Sequence, residues 1–129
     1  SRIQMVRFCN EKIGLPIGNK IKQGLDIPPW IMRNKKFKQV CVRGLIDTDG
    51  SVFTHQYSVN GKVYRYKKLA FTSTSPLLIR SVHTILEENG MRPRISQNKH
   101  LWLDSIEKVE RYFKIIGSHN SKHLRRYKN

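Results

Sequence analysis

The sequence has few acidic residues, few cysteines and no long apolar run. Its 129 residues include only nine Asp and Glu against 25 Lys and Arg, which gives a formal net charge of +16 at pH 7. A charge this unbalanced favours a polyanionic partner, either DNA, RNA or an anionic membrane surface. No apolar stretch approaches the roughly 18 residues that a spanning helix needs, and no signal peptide opens the chain. We therefore expect a nucleic-acid partner and no membrane.

The two cysteines, Cys9 and Cys41, stand in apolar, helix-like surroundings and form no Cys-x-x-Cys metal pattern. They are typical of buried thiols in a reducing compartment, so we expect an intracellular protein that is not secreted. The length fits about one domain, and a hydrophobic content of 38% is ordinary for a globular chain.

Residues 1–35 and 36–129 differ in character. The first segment has a predicted helix over residues 3–13 and a Pro28-Pro29 direction change, and we interpret it as a helix followed by a linker. A weak echo between residues 1–20 and the end of the chain makes this segment a possible remnant of a preceding repeat, although chance similarity explains so short a match equally well. Residues 36–129 are predicted to form the main domain.

A helix is predicted from Phe37 to Thr48. It is apolar on two sides, and it carries Gly44 in its middle at a cost of about 1 kcal/mol. Close approach of a second helix at Gly44 would explain that cost. We therefore expect a partner surface on the face formed by Phe37, Val40, Cys41 and Gly44.

Two strand pairs and two further helices follow. The first pair runs over residues 51–59 and 62–74 around Asn60-Gly61, a strong hairpin signal. The second covers residues 92–97 and 100–103, with a turn at Asn98-Lys99. Helices are expected after a cap at Ser75 and after a cap at Asp104 or Ser105, and a basic tail closes the chain. The order αββαββα predicts an α+β domain with an antiparallel sheet and helices on one face.

Strand alternation assigns one sheet face to the solvent or to a ligand. That face combines aromatic and cationic side chains, which is unusual for a solvated sheet, and a two-stranded ribbon fits the DNA major groove. Some of these side chains should contact only phosphate or water. The residues assigned to DNA binding are Ser51, Phe53, His55, Tyr57, Tyr64, Tyr66, Lys68, Thr72, Arg94, Ser96, His100 and Trp102.

The segment Val42-Arg43-Gly44-Leu45-Ile46-Asp47-Thr48-Asp49-Gly50 resembles the nine-residue signature of the LAGLIDADG homing endonucleases. It matches at six positions, and Arg43 departs from the small residue usual there. The predicted element order after it agrees with that family over residues 36–129. The resemblance implies a saddle-shaped αββαββα fold and site-specific cleavage of double-stranded DNA.

The resemblance also implies roles for particular residues. Asp49 would bind Mg²⁺ or Mn²⁺ directly, the backbone carbonyl of Thr48 would assist, and Lys122 would supply a positive charge at the edge of the active site. The chemistry is sensible, because phosphodiester hydrolysis uses a hard cation held by oxygen ligands. For Asp47 we expect a structural, turn-capping role. His119 and His123 are spaced for a metal, but without a third ligand we expect them to face solvent or DNA.

A chain with one motif supplies only one such aspartate, whereas the family pairs two. The resemblance therefore implies a homodimer or a second half-domain of the same type. Two alternatives remain: a non-cleaving DNA- or RNA-binding protein of the same fold, such as an intron maturase or a transcription regulator, and an unrelated basic RNA-binding domain.

Overall fold

The structure, a computed structural model, describes residues 26–128. The helix predicted over residues 3–13, Cys9 and the possible repeat in residues 1–20 lie outside these residues. The described part of the expected linker packs with the main domain, because Ile27 and Ile31 are buried in the same core. Ile31 belongs to one helical turn, α1 (Pro29–Met32), which starts at a proline whose missing N–H costs nothing there.

The predicted motif helix is confirmed as α2 (Lys35–Asp49) and is slightly longer than expected. Asn34 caps its N-terminus, since its side chain accepts a hydrogen bond from the amide of Phe37 at 3.0 Å. The side chains of Cys41, Val42, Leu45 and Ile46 are completely buried against the sheet and the other helices. At its C-terminal end the backbone becomes extended at Gly50 and enters the first strand without a loop.

Within the described residues, the sheet has four antiparallel strands in the order β1-β2-β4-β3. The first hairpin joins β1 (Gly50–Val59) to β2 (Lys62–Thr72). Its turn residues, Asn60 and Gly61, have φ values of 50° and 80°, which matches the primed turn that Asn-Gly predicts.

The second hairpin pairs β3 (Arg94–Ser96) with β4 (His100–Leu103) and is shorter than predicted. Its turn has three residues instead of two, because the chain already turns at Gln97 and Asn98, which both have a φ of 54°.

Within residues 26–128, one helix lies between the two hairpins and two follow the second hairpin, and their buried side chains share one core with α2. Ser75 caps α3 (Pro76–Glu88) and Ser105 caps α4 (Ile106–Ile115). The basic tail, for which no helix was predicted, forms a helix, α5 (Ser121–Lys128).

The C-terminal end of α5 is held by a ring contact and by hydrogen bonds from a strand. The ring of Tyr127 stacks on that of Phe113, with centroids 4.1 Å apart, and the ammonium group of Lys67 donates hydrogen bonds to the carbonyls of Arg126 and Tyr127.

A single core lies between the helices and one sheet face. The side chains of Val52, Leu69, Phe71, Leu101 and Leu103 point from the strands into this core and are completely buried. The α+β fold class is therefore confirmed. Within residues 26–128, no helix is long and apolar enough to cross a membrane.

Candidate functional site

The strand register places all twelve side chains assigned to DNA binding on one face of the sheet. Leu69 and Phe71 lie in the core, so the alternate positions of β2 point away from the helices. The register then pairs outward positions across the strands: Phe53 with Lys68, His55 with Tyr66, Tyr57 with Tyr64, Ser51 through Ala70 with Trp102 and Arg94, and Thr72 with His100 and Ser96. The predicted face therefore exists; that it contacts DNA remains a prediction.

Aromatic rings follow one another along the long hairpin. Tyr57 and Tyr64 stack with centroids 5.2 Å apart and an angle of 18° between their planes. His55 lies 5.2 Å from the ring of Tyr66, and the ammonium group of Lys68 lies 5.2 Å from the same ring. Each ring offers an apolar face with a polar edge, and the adjacent cation suits a phosphate. Chemically, this surface is suited to nucleic acid.

The short hairpin carries an ion pair that the sequence did not reveal. Asp104, a candidate cap for α4, instead accepts two hydrogen bonds from the guanidinium of Arg94, at 2.8 and 3.3 Å, and lies 3.6 Å from the ammonium of Lys68. The hydrogen bond from Arg94 is the main reason that the pKa of the Asp104 carboxyl is lowered, and it raises the pKa of Arg94. The Arg94 guanidinium also covers the ring of Trp102 at 5.5 Å. Much of the charge of Arg94 is thus balanced within the protein.

Polar pairs fix two more side chains of this face. His100 Nδ1 lies 2.9 Å from the hydroxyl of Thr72, and the indole N–H of Trp102 donates to the hydroxyl of Ser96 at 3.0 Å. In each pair the two partners come from neighbouring strands. Thr72 and His100 lie on β2 and β4, and Ser96 and Trp102 lie on β3 and β4. These side chains are therefore held in fixed positions on the sheet.

Asp49 is exposed at the end of α2, where the helix enters the edge strand of the sheet. The following residue must be small: a Cβ atom added to Gly50 would lie 2.6 Å from the carbonyl oxygen of Ile46 and 2.7 Å from its Cγ2. The glycine thus lets the chain leave the helix directly into β1. This direct exit places Asp49 beside the first outward position of the strand, Ser51.

Thr48, the second residue assigned to the metal, is also exposed. Its hydroxyl donates within the helix, to the carbonyls of Gly44 at 3.0 Å and Leu45 at 3.1 Å. The hydroxyl is therefore engaged, and only the backbone carbonyl suits the role that the resemblance implies. Carbonyl and carboxylate oxygens are ligands that Mg²⁺ accepts, so the two residues fit part of a magnesium site.

Asp47 has a structural role, as expected, but its partners lie more than 70 residues away. Its carboxylate accepts hydrogen bonds from the hydroxyl of Ser118 at 2.5 Å and from the amide of His119 at 2.8 Å. Its backbone carbonyl accepts a hydrogen bond from the side-chain amide of Asn120 at 2.8 Å. Asp47 therefore fastens the α4–α5 connection to the end of α2.

His123 corrects the expectation of a histidine facing solvent or DNA. Its side chain is buried, with 4% of the residue exposed, and Nε2 lies 3.0 Å from the carbonyl oxygen of Gly50. It was missed because α5 was read as a tail, although His123, Leu124 and Tyr127 have the spacing of a helix face. Lys122, next to it, is exposed in the first turn of α5. Its backbone amide donates to the side-chain oxygen of Asn120 at 2.9 Å.

The predicted partner surface on α2 is only partly accessible. Cys41 was assigned to this surface, but it is completely buried in the core, so its side chain is not accessible to a partner chain. Phe37, Val40 and Gly44 are half-buried and form a strip beside the buried face of the helix. The exposed indole of Trp30 extends this strip, with its ring edge-on to Phe37 at 6.1 Å.

The match to known proteins agrees with this geometry. The family model of the LAGLIDADG-like domain matches residues 36–128, which include α2, all four strands and the helices that follow them. Among curated proteins, none matches the sequence significantly.

Proposed function

Because this chain belongs to the LAGLIDADG family, which includes homing endonucleases and maturases, we propose that it is a metal-dependent endonuclease that cleaves double-stranded DNA at a specific site. The observation that carries the proposal is the position of Asp49. Asp49 is exposed, ends α2 and comes two residues before Ser51, the first outward position of the sheet face with the aromatic and cationic side chains. A protein that only binds nucleic acid has no need of a carboxylate beside its phosphate-binding surface.

Asp49 and the carbonyl of Thr48 would hold a divalent cation, Mg²⁺ or Mn²⁺. When bound, the cation polarises a phosphoryl oxygen and lowers the pKa of a bound water. Among residues 26–128, no three His, Cys, Asp or Glu side chains converge as a metal site. In this proposal the remaining ligands come from DNA phosphate oxygens, water and a second aspartate. In the same proposal Lys122, which is exposed in the first turn of α5, supplies a positive charge toward phosphate at the edge of the site.

The second aspartate requires a second copy of the fold. The half-buried strip of Phe37, Val40 and Gly44 with the exposed Trp30 is the surface we assign to that pairing. Gly44 allows two helix backbones to approach closely, which would bring the two Asp49-type ends together. The partner is a second copy of this chain or another LAGLIDADG half-domain. The mass of the protein on duplex DNA, measured by light scattering, separates these cases: two chains per duplex indicate a homodimer, and one chain excludes it.

Replacing Asp49 tests the activity. A duplex is first selected from a randomised library by binding in Ca²⁺, and cleavage is then started with Mg²⁺. Asp49→Asn keeps size and shape but removes the charge that holds the metal, so cleavage should fall to background while DNA binding stays within about two-fold of the wild type. Glu110→Gln is the matched control, since it makes the same charge change on the exposed side of α4 and should cleave normally.

Three results would decide against the proposal. Cleavage by Asp49→Asn at the wild-type rate would remove Asp49 from the site. A wild-type protein that binds the duplex tightly but never cuts it would favour a non-cleaving DNA-binding member of the family. Preference for single-stranded RNA over duplex DNA would favour the RNA-binding alternatives.

A further inference from the structure

The residues on both sides of Asp49 are hydrogen-bonded to the C-terminal part of the chain. Residues 116–123, which join α4 to the first turn of α5, make hydrogen bonds to Arg43, Asp47 and Gly50. We call this segment the C-terminal clamp. Its partners lie about 70 residues earlier in the sequence, so it fixes the end of α2 from outside the motif.

Three residues of the clamp hold the helix on the N-terminal side of Asp49. Ser118 and the amide of His119 donate to the carboxylate of Asp47, and Asn120 donates to its carbonyl oxygen. A carboxylate that accepts an amide and a hydroxyl is held in one orientation.

Arg43, the position at which the motif departs from its usual small residue, also joins the clamp. Its guanidinium donates to the carbonyl of Ile116 at 2.7 Å, and its Nη1 lies 3.3 Å from Nε2 of His119. Arg43 therefore adds a further attachment between α2 and the clamp.

His123 holds the chain on the other side of Asp49. The carbonyl oxygen of Gly50 can only accept a hydrogen bond, so the Nε2 atom that faces it must carry a proton. The second ring nitrogen, Nδ1, lies 3.8 Å from the carboxylate of Asp47 and has no hydrogen-bond partner within residues 26–128. The imidazole ring thus lies close to both Asp47 and Gly50, the two residues that flank Thr48 and Asp49.

The clamp is anchored in the core. Tyr112 is completely buried, and burial raises the pKa of its phenol well above the usual value, with the negative charge of Asp47 adding to the shift. The amides of Ile116 and Gly117, at the start of the clamp, donate to the carbonyl of Tyr112 at 2.8 and 2.9 Å, which joins the clamp to this buried residue.

We propose that His123 is a positioning residue for Asp49: its hydrogen bond to the Gly50 carbonyl fixes the backbone that carries the metal-binding carboxylate. This inference rests on the proposed nuclease function. A metal site needs its ligand oxygens held within a few tenths of an ångström, and groups that only orient the ligands typically contribute 10- to 100-fold to metal affinity or activity. Since Asp49 is the last residue of a helix and the strand begins at the next residue, its backbone depends on such outside support.

The test compares three variants in the full chain. His123→Leu removes the donor and keeps an apolar filling, His123→Gln keeps an amide donor, and Tyr127→Leu removes the ring that stacks on Phe113 at the far end of the same helix. Two quantities are measured for each: the Mg²⁺ concentration at half-maximal single-turnover cleavage, and the hydrogen exchange of the Gly50 amide, which donates to the carbonyl of Ile46. All measurements are made well below the melting temperature of the least stable variant.

His123→Leu should raise the Mg²⁺ midpoint by about 10-fold and speed exchange at Gly50, while DNA affinity stays unchanged. His123→Gln should restore the midpoint to within about three-fold. Tyr127→Leu should lower the melting temperature without changing the midpoint or the exchange, since it loosens α5 away from Gly50. A midpoint and a Gly50 exchange rate that His123→Leu leaves at wild-type values would overturn the inference.

The exchange measurement keeps this inference separate from the proposed function. If the wild-type chain does not cleave any selected duplex, the nuclease proposal fails, and exchange at Gly50 still decides whether His123 fixes this backbone. If the wild type cleaves and both readouts are the same in His123→Leu, only the positioning role fails.

Discussion

The two ends of the long hairpin differ in almost every physical property. At the end near Gly50 and Phe71, helices cover one face of the strands, and β2 also pairs with β4 of the short hairpin. At the other end, the strand residues on both sides of Asn60-Gly61, 54–59 and 62–65, are exposed on both faces, and we call this part of the hairpin the arm. The first end is fixed by core packing and by the C-terminal clamp, and the second only by strand pairing and aromatic stacking.

Under the proposed function, this difference corresponds to a division of tasks. Catalysis requires atoms held at fixed positions, and Asp49 lies at the packed end. Recognition of a long DNA groove requires side chains spread along it. The exposed arm carries aromatic rings and cations beyond the part of the sheet that the helices cover. Charge differs as well. The cations nearest the packed end, Arg94 and Lys68, contact Asp104, whereas Arg65 on the arm is exposed and donates only to the neutral side chain of Gln56 among the contacts described.

The largest expected effect is on the free energy of unfolding. It comes from replacing helix-facing side chains at the two ends of β2 by alanine. Phe71 is completely buried and Val63 is 54% exposed, although both lie on the helix-facing side of the strand. Phe71→Ala should lower the free energy of unfolding by about 3–5 kcal/mol because it leaves a cavity in the core. Val63→Ala, the matched control, should change it by less than about 0.5 kcal/mol. Urea titration measures both; similar losses would show that the arm is packed too.

A smaller effect is expected for Tyr57 on the arm. Tyr57→Ala removes a ring that is stacked on Tyr64 and 42% exposed, so duplex affinity should fall by about 10-fold, in the range of one anchoring aromatic. Stability should fall by about 1 kcal/mol or less. Gln56→Ala, on the opposite face of the same strand, is the control. Equal affinity for wild type and Tyr57→Ala in an equilibrium binding assay would remove this part of the arm from the DNA surface.

The smallest effect is expected where the protein balances its own charge. Asp104→Asn releases Arg94 and Lys68 toward phosphate, so duplex affinity should rise by about two- to five-fold, with a salt dependence steeper by about one phosphate contact. Weaker binding by the variant would show that the ion pair positions Arg94 for contact.

The pH dependence of stability gives a second readout of this ion pair. The pKa of Asp104 is lowered in the folded chain, so its contribution to stability is complete above the ordinary value of 3.8 and is lost as the pH falls through the lowered one. Urea titrations over this acid range should therefore show a greater loss for the wild type than for Asp104→Asn.

Local signals in the sequence predicted most of the fold. Asn60-Gly61 fixed the hairpin register, and with it the side of the sheet on which every outward side chain lies. Ser75 and Ser105 marked the starts of two helices through their capping hydroxyls. Asp49 was identified because the motif is contiguous and lies where a helix meets a strand.

Contacts between distant residues were not predictable in this way. Nothing in the sequence links Asp47 with residues 118–120, or Gly50 with His123, because those pairs form only when α5 docks. Cys41 was assigned to the wrong surface, since helical periodicity defines an apolar face but does not say which neighbour covers it. The pairing of Asp104 with Arg94 likewise depends on how the short hairpin meets the loop after it.

The most direct test of the proposed paired nuclease is to map, at single-nucleotide resolution, which phosphodiester bonds break in a duplex selected by binding. The wild-type chain should break one bond in each strand, at positions related by two-fold symmetry and only with Mg²⁺ or Mn²⁺, and Asp49→Asn should break neither. Cuts in one strand alone, cuts without a divalent cation, or the same two cuts by Asp49→Asn would contradict it.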